Sequence, residues 1–237
     1  MIVSLTLIRY RKIAIPLALL AMAIHRIPLI LRKNCSFWKL MGCGKNGSFD
    51  LNPDWQQWGL LAAWETENDF EKFYQHSFIG KWWRFFSQEQ WTILCEPLSS
   101  HGEWNGKAPF GHPDVDQNYQ GPVAVLTRAE IRLSKLKAFW ANVGHVSQMM
   151  AKAPGYQYSV GIGEAPFYLQ ATFSVWDDLD KVKAFAYQSA EHASVIRKTR
   201  KEDWYKEELF ARFKPLKTLG KIQQSNPLEK LNIPHQD

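Results

Sequence analysis

One pattern of apolar, aromatic and acidic residues occurs twice in the sequence, and this internal repeat limits the folds that the chain can adopt. The first copy is GLLAAWETENDFEKF (Gly59 to Phe73) and the second is ATFSVWDDLDKVKAF (Ala171 to Phe185). In both copies an apolar run typical of a strand ends in tryptophan, and acidic residues suited to a helix N-terminus follow, then a phenylalanine. We therefore expect two copies of one supersecondary unit.

The segments upstream of the two blocks also correspond to each other. Ile2 to Ile24 and Val123 to Met150 each contain a β-rich run, a polar joint and a helix with apolar periodicity. Each half thus predicts strand, helix, strand, strand, helix, strand, which is the order of a ferredoxin-like unit. The predicted elements of the first half are Ile2 to Arg9, Pro16 to His25, Phe37 to Gly44, Trp58 to Trp64, Glu67 to Gln75 and Trp91 to Pro97. Those of the second half are Val123 to Ile131, Ser134 to Lys152, Tyr156 to Gly163, Leu169 to Trp176, Asp178 to Thr199 and Glu208 to Pro215.

The predicted fold class is therefore α+β, with two ferredoxin-like β-α-β-β-α-β repeats forming a duplicated α+β barrel with helices outside. Residues 1–100 form the first repeat and residues 122–216 the second. The join, 101–121, is rich in Gly and Pro and predicts an ordered surface loop. Residues 217–237 form a C-terminal tail outside the two repeats.

Charge and cysteine content restrict the partners and the compartment. The net charge of +6 is spread along the chain apart from IRKTRK (Ile196 to Lys201), which argues against nucleic acid and favours an anionic membrane surface or an acidic ligand. The three cysteines are odd in number and lack metal or redox spacing, so we expect a reducing, cytoplasmic location without disulfides.

An apolar run near the N-terminus, Ile13 to Ile24, has basic residues on both sides. We expect it to be too short to span a bilayer. A signal peptide is the alternative, but the strand-like segment upstream and the match to the second half favour a folded N-terminus.

Two pairs of glycines recur in the repeat, Gly161 with Gly163 and Gly42 with Gly44. A phosphate loop is a weak explanation, because Pro166 and a strand-like segment follow where a helix should begin. Residues two apart on a strand share a face, so each pair removes side chains from one patch, which a flat or bulky group could approach. The alternative is that a neighbouring helix or sheet fills the space.

Long stretches of the second half resemble the spheroidene monooxygenase family: GPVAVLTRAEI, SVGIGEAPFYLQATFSVWDDLDKVKAFAY and HASVIRKTRKEDWYKEELFARF. In the first half, FWKLMGCGKNGSFDLNPD agrees with the same family. The resemblance implies a haem-dependent monooxygenase that introduces a keto or hydroxyl group into a carotenoid-type polyene, with O2 as co-substrate and ferredoxin or another reductant as electron donor. A non-catalytic protein that binds haem or a hydrophobic ligand, and a cofactor-free oxygenase, are the alternatives.

If haem is bound, one side chain must ligate the iron. His192 follows Val182, Phe185 and Ser189 on one helical stripe and lies inside the most specific block of the resemblance, so it is the first candidate metal ligand. His145 is the second. A core histidine is the alternative for His192.

The haem carboxylates could be neutralised by Arg197, Lys198 and Arg200, and Gly161 and Gly163 could face the cofactor. The alternative for these cations is a solvated basic face. Cys43, between two strand glycines, is better explained as a small buried thiol than as a ligand.

Candidate catalytic groups on the opposite wall are Gln170, Thr172 and Ser174, which alternate along one strand, and Arg128 on another strand. Alternation alone does not decide whether that face points into the barrel or towards the helices. An ordinary barrel face is the alternative.

Because long polyenes partition into bilayers, we expect a cytoplasmic protein that visits the inner face of the membrane as a peripheral protein. The cluster KWWRFF supplies the candidate contact residues Trp82, Trp83, Arg84, Phe85 and Phe86. The alternative is that these aromatic residues pack under the 101–121 loop.

Overall fold

The computed structural model describes residues 1–45, 52–113, 119–165, 167–188, 199 and 201–236. These residues form an α+β structure of antiparallel strands and helices, divided into two compact units. Unit 1 comprises Met1–Cys43, Asp54–Pro97 and Pro215–Asp237, and unit 2 comprises Gly44–Pro53 and Leu98–Lys214. The tail from residue 217 thus groups with the first unit, whereas the sequence predicted a separate segment.

Unit 1 contains a sheet with the strand order β4-β1-β3-β2. Strand β1 lies in its middle, antiparallel to β3 and to β4, and side chains on both of its faces are buried. The apolar run of β1 is therefore a core strand. The elements of unit 1 are β1 (Ile2–Tyr10), α1 (Ile15–Ile24), α2 (Arg26–Ile30), β2 (Cys35–Gly44), β3 (Pro53–Trp64), α3 (Glu67–His76), α4 (Phe78–Phe86) and the start of β4 (Ser87–Gly102).

A 3-10 turn (Lys12–Ala14) leads into α1, and α2 follows directly, so the helical run Lys12–Ile30 is 19 residues long. Within the described part of the chain it is the one helical run that is long and apolar enough to cross a membrane, judged by length and composition alone. The expectation of a run too short for this was wrong, because the helix continues beyond Ile24 through Arg26.

Helix α3 begins at a capping box, in which the Asp69 amide donates to Thr66 Oγ1 and the Thr66 amide donates to the Asp69 carboxylate. Helix α4 begins where Ser77 Oγ accepts a hydrogen bond from the Gly80 amide at 2.9 Å. This second helix was not predicted. It turns Trp83 into the core of unit 1, whereas Lys81, Arg84 and Phe85 of the KWWRFF cluster remain exposed.

Unit 2 contains a sheet with the strand order β6-β7-β5-β8. Its elements are β5 (Val123–Ile131), α5 (Leu136–Ala151), β6 (Tyr156–Ala165), β7 (Leu169–Trp176), α6 (Leu179–Lys183) with a π-helical turn (Ala184–Gln188), and the first part of β8 (Tyr205–Lys221). The last residues of β8, from Pro215, belong to unit 1 and pair there in parallel with β9 (His235–Gln236).

The sheet of unit 2 has one face covered by helices. Val123, Val125 and Trp176 lie on that face and pack against Val182 of α6. Because successive residues of a strand alternate between faces, Arg128 and Phe173 lie on the other face. This division decides which candidate side chains lie together.

Candidate functional site

The register of β6 with β7 places the glycine pair and the polar row on one face. Gly161 is opposite Thr172, Gly163 is opposite Gln170, and Ser159 is opposite Ser174. Trp176, two residues after Ser174, packs against α6, so this face is the one that the helices cover. The face that carries Gln170, Thr172 and Ser174 therefore points towards the helices and not into a barrel interior.

Two members of this row have structural hydrogen bonds. The indole Nε1 of Trp176 donates to Ser174 Oγ at 3.0 Å, and Ser174 is buried. Gln170 Nε2 donates to the Ala165 carbonyl oxygen at 3.1 Å, across the turn between β6 and β7. Ser174 therefore positions a core tryptophan, while Gln170 braces the β6–β7 connection.

Gly163 has a structural reason to be glycine. A Cβ atom at this position would lie 2.9 Å from the Leu169 carbonyl oxygen and 3.0 Å from the Gln170 side chain. Real Cβ atoms do not approach backbone oxygen so closely, so any side chain would push β7 away. The close approach of the neighbouring strand is sufficient to account for this glycine.

Arg128 lies on the opposite face of the same sheet, in an ionic cluster. Its guanidinium forms an ion pair with Glu207 of β8, and a second carboxylate, that of Glu130, lies 3.9 Å away. The guanidinium also lies over the Trp104 ring, 5.4 Å from its centroid. The Trp104 indole nitrogen in turn donates to Glu164 at 2.5 Å.

Glu207 is held as a carboxylate by three groups. Burial alone would raise its pKa, but hydrogen bonds from the Gly106 amide (2.8 Å) and the Asn105 amide (2.9 Å), with the charge of Arg128, together lower the pKa below its usual value. The Nε and one terminal nitrogen of Arg128 are buried without a hydrogen-bond partner among the described residues. Arg128 lies on the face of the sheet opposite to Gln170 and Ser174, so these three candidate catalytic residues do not face one another.

The predicted haem ligand and its cationic neighbours, His192, Arg197, Lys198 and Arg200, lie outside the described residues. His145 belongs to helix α5, as its sequence predicted. Among the residues that the structure describes, no three His, Cys, Asp or Glu side chains come together as a metal site. Haem iron needs only one protein ligand, so this finding leaves the haem prediction as it was.

The three cysteines are free and buried. Burial raises the pKa of the Cys43 thiol to about 12, partly offset by a hydrogen bond with Gln57. Cys43 is therefore a neutral thiol near pH 7, in agreement with its interpretation as a small core residue.

One buried polar residue, His25, was not singled out by the sequence. It caps the C-terminus of α1, is 1% exposed, and its Nε2 atom has no hydrogen-bond partner among the described residues. Its ring meets the rings of Phe78, Trp82 and Trp83 edge-on, at centroid distances of 6.1, 5.6 and 6.3 Å. Burial lowers the pKa of His25 to about 4, so the imidazole is neutral at physiological pH.

A cavity of about 10 Å³, the space of one water molecule, adjoins His25. Its lining is mainly apolar and comes from β1, α1, β2, β3 and α4. The sequence signal for this arrangement was the spacing of Ala14, Ala18, Ala21 and His25, which puts three small residues and the histidine on one helical face. The cavity is far too small for a polyene.

Comparison with known proteins identifies the family, although no protein-family model matches the chain. The chain is 35% identical over 233 residues to the spheroidene monooxygenase of Rhodobacter capsulatus, covering 96% of this chain and 95% of that protein. The chain belongs to the spheroidene monooxygenase family. It is 33% identical over 228 residues to the enzyme of the same name from Cereibacter sphaeroides, covering 95% of this chain and 70% of that protein. This member of the spheroidene monooxygenase family is therefore an oxidoreductase, and the resemblance predicted from its sequence blocks is confirmed.

Among solved structures, aldoxime dehydratase in complex with butyraldoxime has a TM-score of 0.56 to this spheroidene monooxygenase family member, at 10% sequence identity. The match covers 90% of this chain and 79% of that one. At this identity the likeness concerns the fold alone.

Proposed function

We propose that the protein introduces a keto or hydroxyl group into a carotenoid-type polyene, using O2 and an external electron donor such as a ferredoxin. The observation that carries the proposal is the 35% identity along 95% of the Rhodobacter capsulatus spheroidene monooxygenase. Each hydroxylation consumes one O2 and two electrons, leaving one oxygen atom in the product and one in water. A methylene becomes a keto group by two such steps followed by loss of water.

The proposed cofactor is haem: His192 would ligate its iron, and Arg197 and Arg200 would neutralise its carboxylates. A bound haem would supply the iron that activates O2. One described feature fits a cofactor on the helix side of unit 2: Thr172 and Gln170 remain partly exposed there, next to Gly161. The chain would contribute the ligand, the counter-charges and this face, while Gly163 keeps β7 close to β6.

We also propose that the two units are copies of one ferredoxin-like unit, arranged as a duplicated α+β barrel. Ile2 pairs with Trp64 in unit 1, and Val123 pairs with Trp176 in unit 2, so the strand registers agree. The indole nitrogen of each tryptophan donates to a buried serine, although the serines come from different strands: Ser4 of β1 for Trp64, at 2.8 Å, and Ser174 of β7 for Trp176. The registers of β1 with β4 and of β5 with β8 shift at corresponding places, after Arg9 and after Glu130.

The test uses the purified full chain, with and without added haem. We expect a Soret band, and O2-dependent and reductant-dependent conversion of a carotenoid with incorporation of labelled oxygen from ¹⁸O2. His192→Ala should abolish the nitrogen-ligated haem spectrum while the fold survives, and His145→Ala is the matched control.

Each outcome separates the alternatives. Turnover without a Soret band would identify a cofactor-free oxygenase, and a Soret band without turnover would identify a binding protein. An unchanged spectrum in His192→Ala with a changed one in His145→Ala would move the ligand to α5.

A further inference from the structure

Helices α1 and α2 carry their large apolar side chains on the outside. The inner side of the run is formed mainly by small residues, Ala14, Ala18 and Ala21, together with His25 and Leu29, and all five are buried. The outer side carries large apolar residues that are 45% to 90% exposed: Ile13, Leu19, Leu20, Ile27, Ile30 and Leu31. A surface helix of a soluble protein has the reverse arrangement, so this face is built to be covered.

Helix α4 packs against the junction of α1 and α2 and adds two exposed aromatic side chains. The His25 ring, at the junction of α1 and α2, contacts Phe78 and Trp82 of α4, which places the helices side by side. Phe78 and Phe85 lie on one stripe of α4 with Trp82, and they are 53% and 72% exposed. We call the eight exposed residues Ile13, Leu19, Leu20, Ile27, Ile30, Leu31, Phe78 and Phe85 the outer apolar face.

The charged residues of the helical segments that carry the outer apolar face are all basic. Residues 1–45 contain eight Lys and Arg and no Asp or Glu, and α4 adds Lys81 and Arg84 without an acidic residue. On neighbouring α3, the carboxylates of Glu67 and Glu71 bind Lys217, so their charge is compensated locally. Exposed basic residues bordering exposed apolar ones complement a surface with negative headgroups above hydrocarbon.

We propose that the outer apolar face docks unit 1 onto an anionic lipid bilayer, with α1, α2 and α4 lying in the plane of the membrane interface. The run Lys12–Ile30 does not span the bilayer in this state, because Ala18, Ala21 and Leu29 are buried in unit 1 on its inner side. The face differs from the contact that the sequence predicted, since Trp83 is buried and α1 and α2 supply most of the apolar surface. The proposal involves neither the cofactor nor the substrate, so it stands or fails apart from the proposed function.

The test is sedimentation of the full chain with vesicles of phosphatidylcholine containing about 30 mol% phosphatidylglycerol, compared with vesicles of phosphatidylcholine alone. We expect binding to the anionic vesicles, weakened at least about tenfold by about 0.5 M salt. The double variant Ile27→Glu with Ile30→Glu should lose at least about tenfold in vesicle affinity, because it puts charge where apolar side chains must enter the interface.

The matched control is Leu133→Glu, an apolar residue of unit 2 that is 73% exposed and lies outside the outer apolar face. It should bind vesicles like the unmodified chain, and circular dichroism should show all variants folded. Lys12→Gln with Lys81→Gln should weaken binding to anionic vesicles, whereas Lys137→Gln with Lys152→Gln should not.

Three results would overturn the proposal. The first is an absence of vesicle binding by the unmodified chain, and the second is an equal loss of binding in the Leu133→Glu control. The third is self-association, measured by light scattering, together with an absence of vesicle binding by every variant. If Ile27→Glu with Ile30→Glu abolished that self-association, the outer apolar face would pair two copies of the chain.

Discussion

At the scale of single residues, the structure contains two buried polar groups whose environments work in opposite directions. His25 is buried without a partner for Nε2 among the described residues and is kept neutral by desolvation. Arg128 is equally buried, 1% exposed, but remains charged beside Glu207. A neutral imidazole tolerates an apolar site, whereas a guanidinium needs its carboxylate. Both residues should therefore affect the free energy of unfolding in a way that can be measured.

His25 should make the protein less stable in acid. Its pKa is lowered to about 4 in the folded chain, so between pH 6.5 and 4 the unfolded chain binds the proton that the folded chain does not. The free energy of unfolding should therefore fall as the pH drops through that window, by up to about 3 kcal/mol from this residue, and its contribution is absent above pH 6.5. Denaturant unfolding at a series of pH values measures the slope.

His25→Phe should flatten that slope, because phenylalanine takes up no proton and the neighbouring cavity offers room for the larger ring. His101→Gln, which removes an exposed imidazole, is the control and should leave the slope unchanged. An identical pH dependence in His25→Phe and the unmodified chain would contradict the assignment.

Glu207→Ala should be strongly destabilising. It leaves the buried guanidinium of Arg128 without its ion pair and removes the acceptor of the Asn105 and Gly106 amides, at an expected cost of about 3–5 kcal/mol in unfolding free energy. Glu208→Ala, at the exposed next position of β8, should cost less than about 1 kcal/mol by the same thermal or denaturant measurement. Similar losses in both variants would show that Arg128 does not depend on Glu207.

At the scale of elements, the sequence predicted strands better than helix ends. Strands β5 and β7 have the predicted bounds, because their apolar runs end at clear breaks: Gly121 and Pro122 precede β5, and Asp177 follows β7. Helix α4 was missed because nine residues with five aromatic side chains show no strong helical preference, and its start depends on the Ser77 cap. Propensity is a weak guide where a cap and core packing decide.

In the candidate site, too, the sequence predicted what depends on one strand but not what depends on packing between elements. Sequence alternation correctly put Gln170, Thr172 and Ser174 on one face, since a strand has a fixed period of two. It could not reveal that Arg128 lies on the other face, because that depends on the pairing of Arg128 with Ala171. The burial of His25 and its lowered pKa could not be predicted, because desolvation is a property of the packed core and not of the sequence around the residue.

Two glycines in helices should respond oppositely to alanine. In α4, a Cβ at Gly80 would lie 2.1 Å from the Tyr74 carbonyl oxygen, so Gly80→Ala must separate α3 from α4 and should cost at least about 1–3 kcal/mol. In α5, a Cβ at Gly144 has nothing within 4 Å, so Gly144→Ala should stabilise by about 0.5–1 kcal/mol through helix propensity. Thermal midpoints that move in the same direction for both variants would contradict this account.

At the scale of the whole molecule, the two compact units do not have the boundaries of the two predicted repeats. Strand β8 contributes to both units, and the residues after it return to unit 1, although the sequence suggested a separate C-terminal tail. Leu219 of this segment belongs to the core of unit 1 and Thr218 is fully buried. Composition could not show that polar residues of this segment, such as Asn226, bind the first unit.

The C-terminal segment should therefore be required for the stability of unit 1. Truncation after Leu216 removes Leu219 from the core, the Asn226 side-chain carbonyl that accepts from Trp91 Nε1 at 3.0 Å, and the amides of Gln223 and Gln224 that bind Glu89. Loss of the leucine alone should cost about 1.5–3 kcal/mol, and the lost hydrogen bonds add to it.

Truncation after Asn232 removes β9, with the bond between Thr218 Oγ1 and His235 Nδ1, and leaves the rest in place. We expect a large fall in thermal midpoint for the first truncation and a small one for the second, and equal midpoints would show that the segment is an appendage rather than part of the fold.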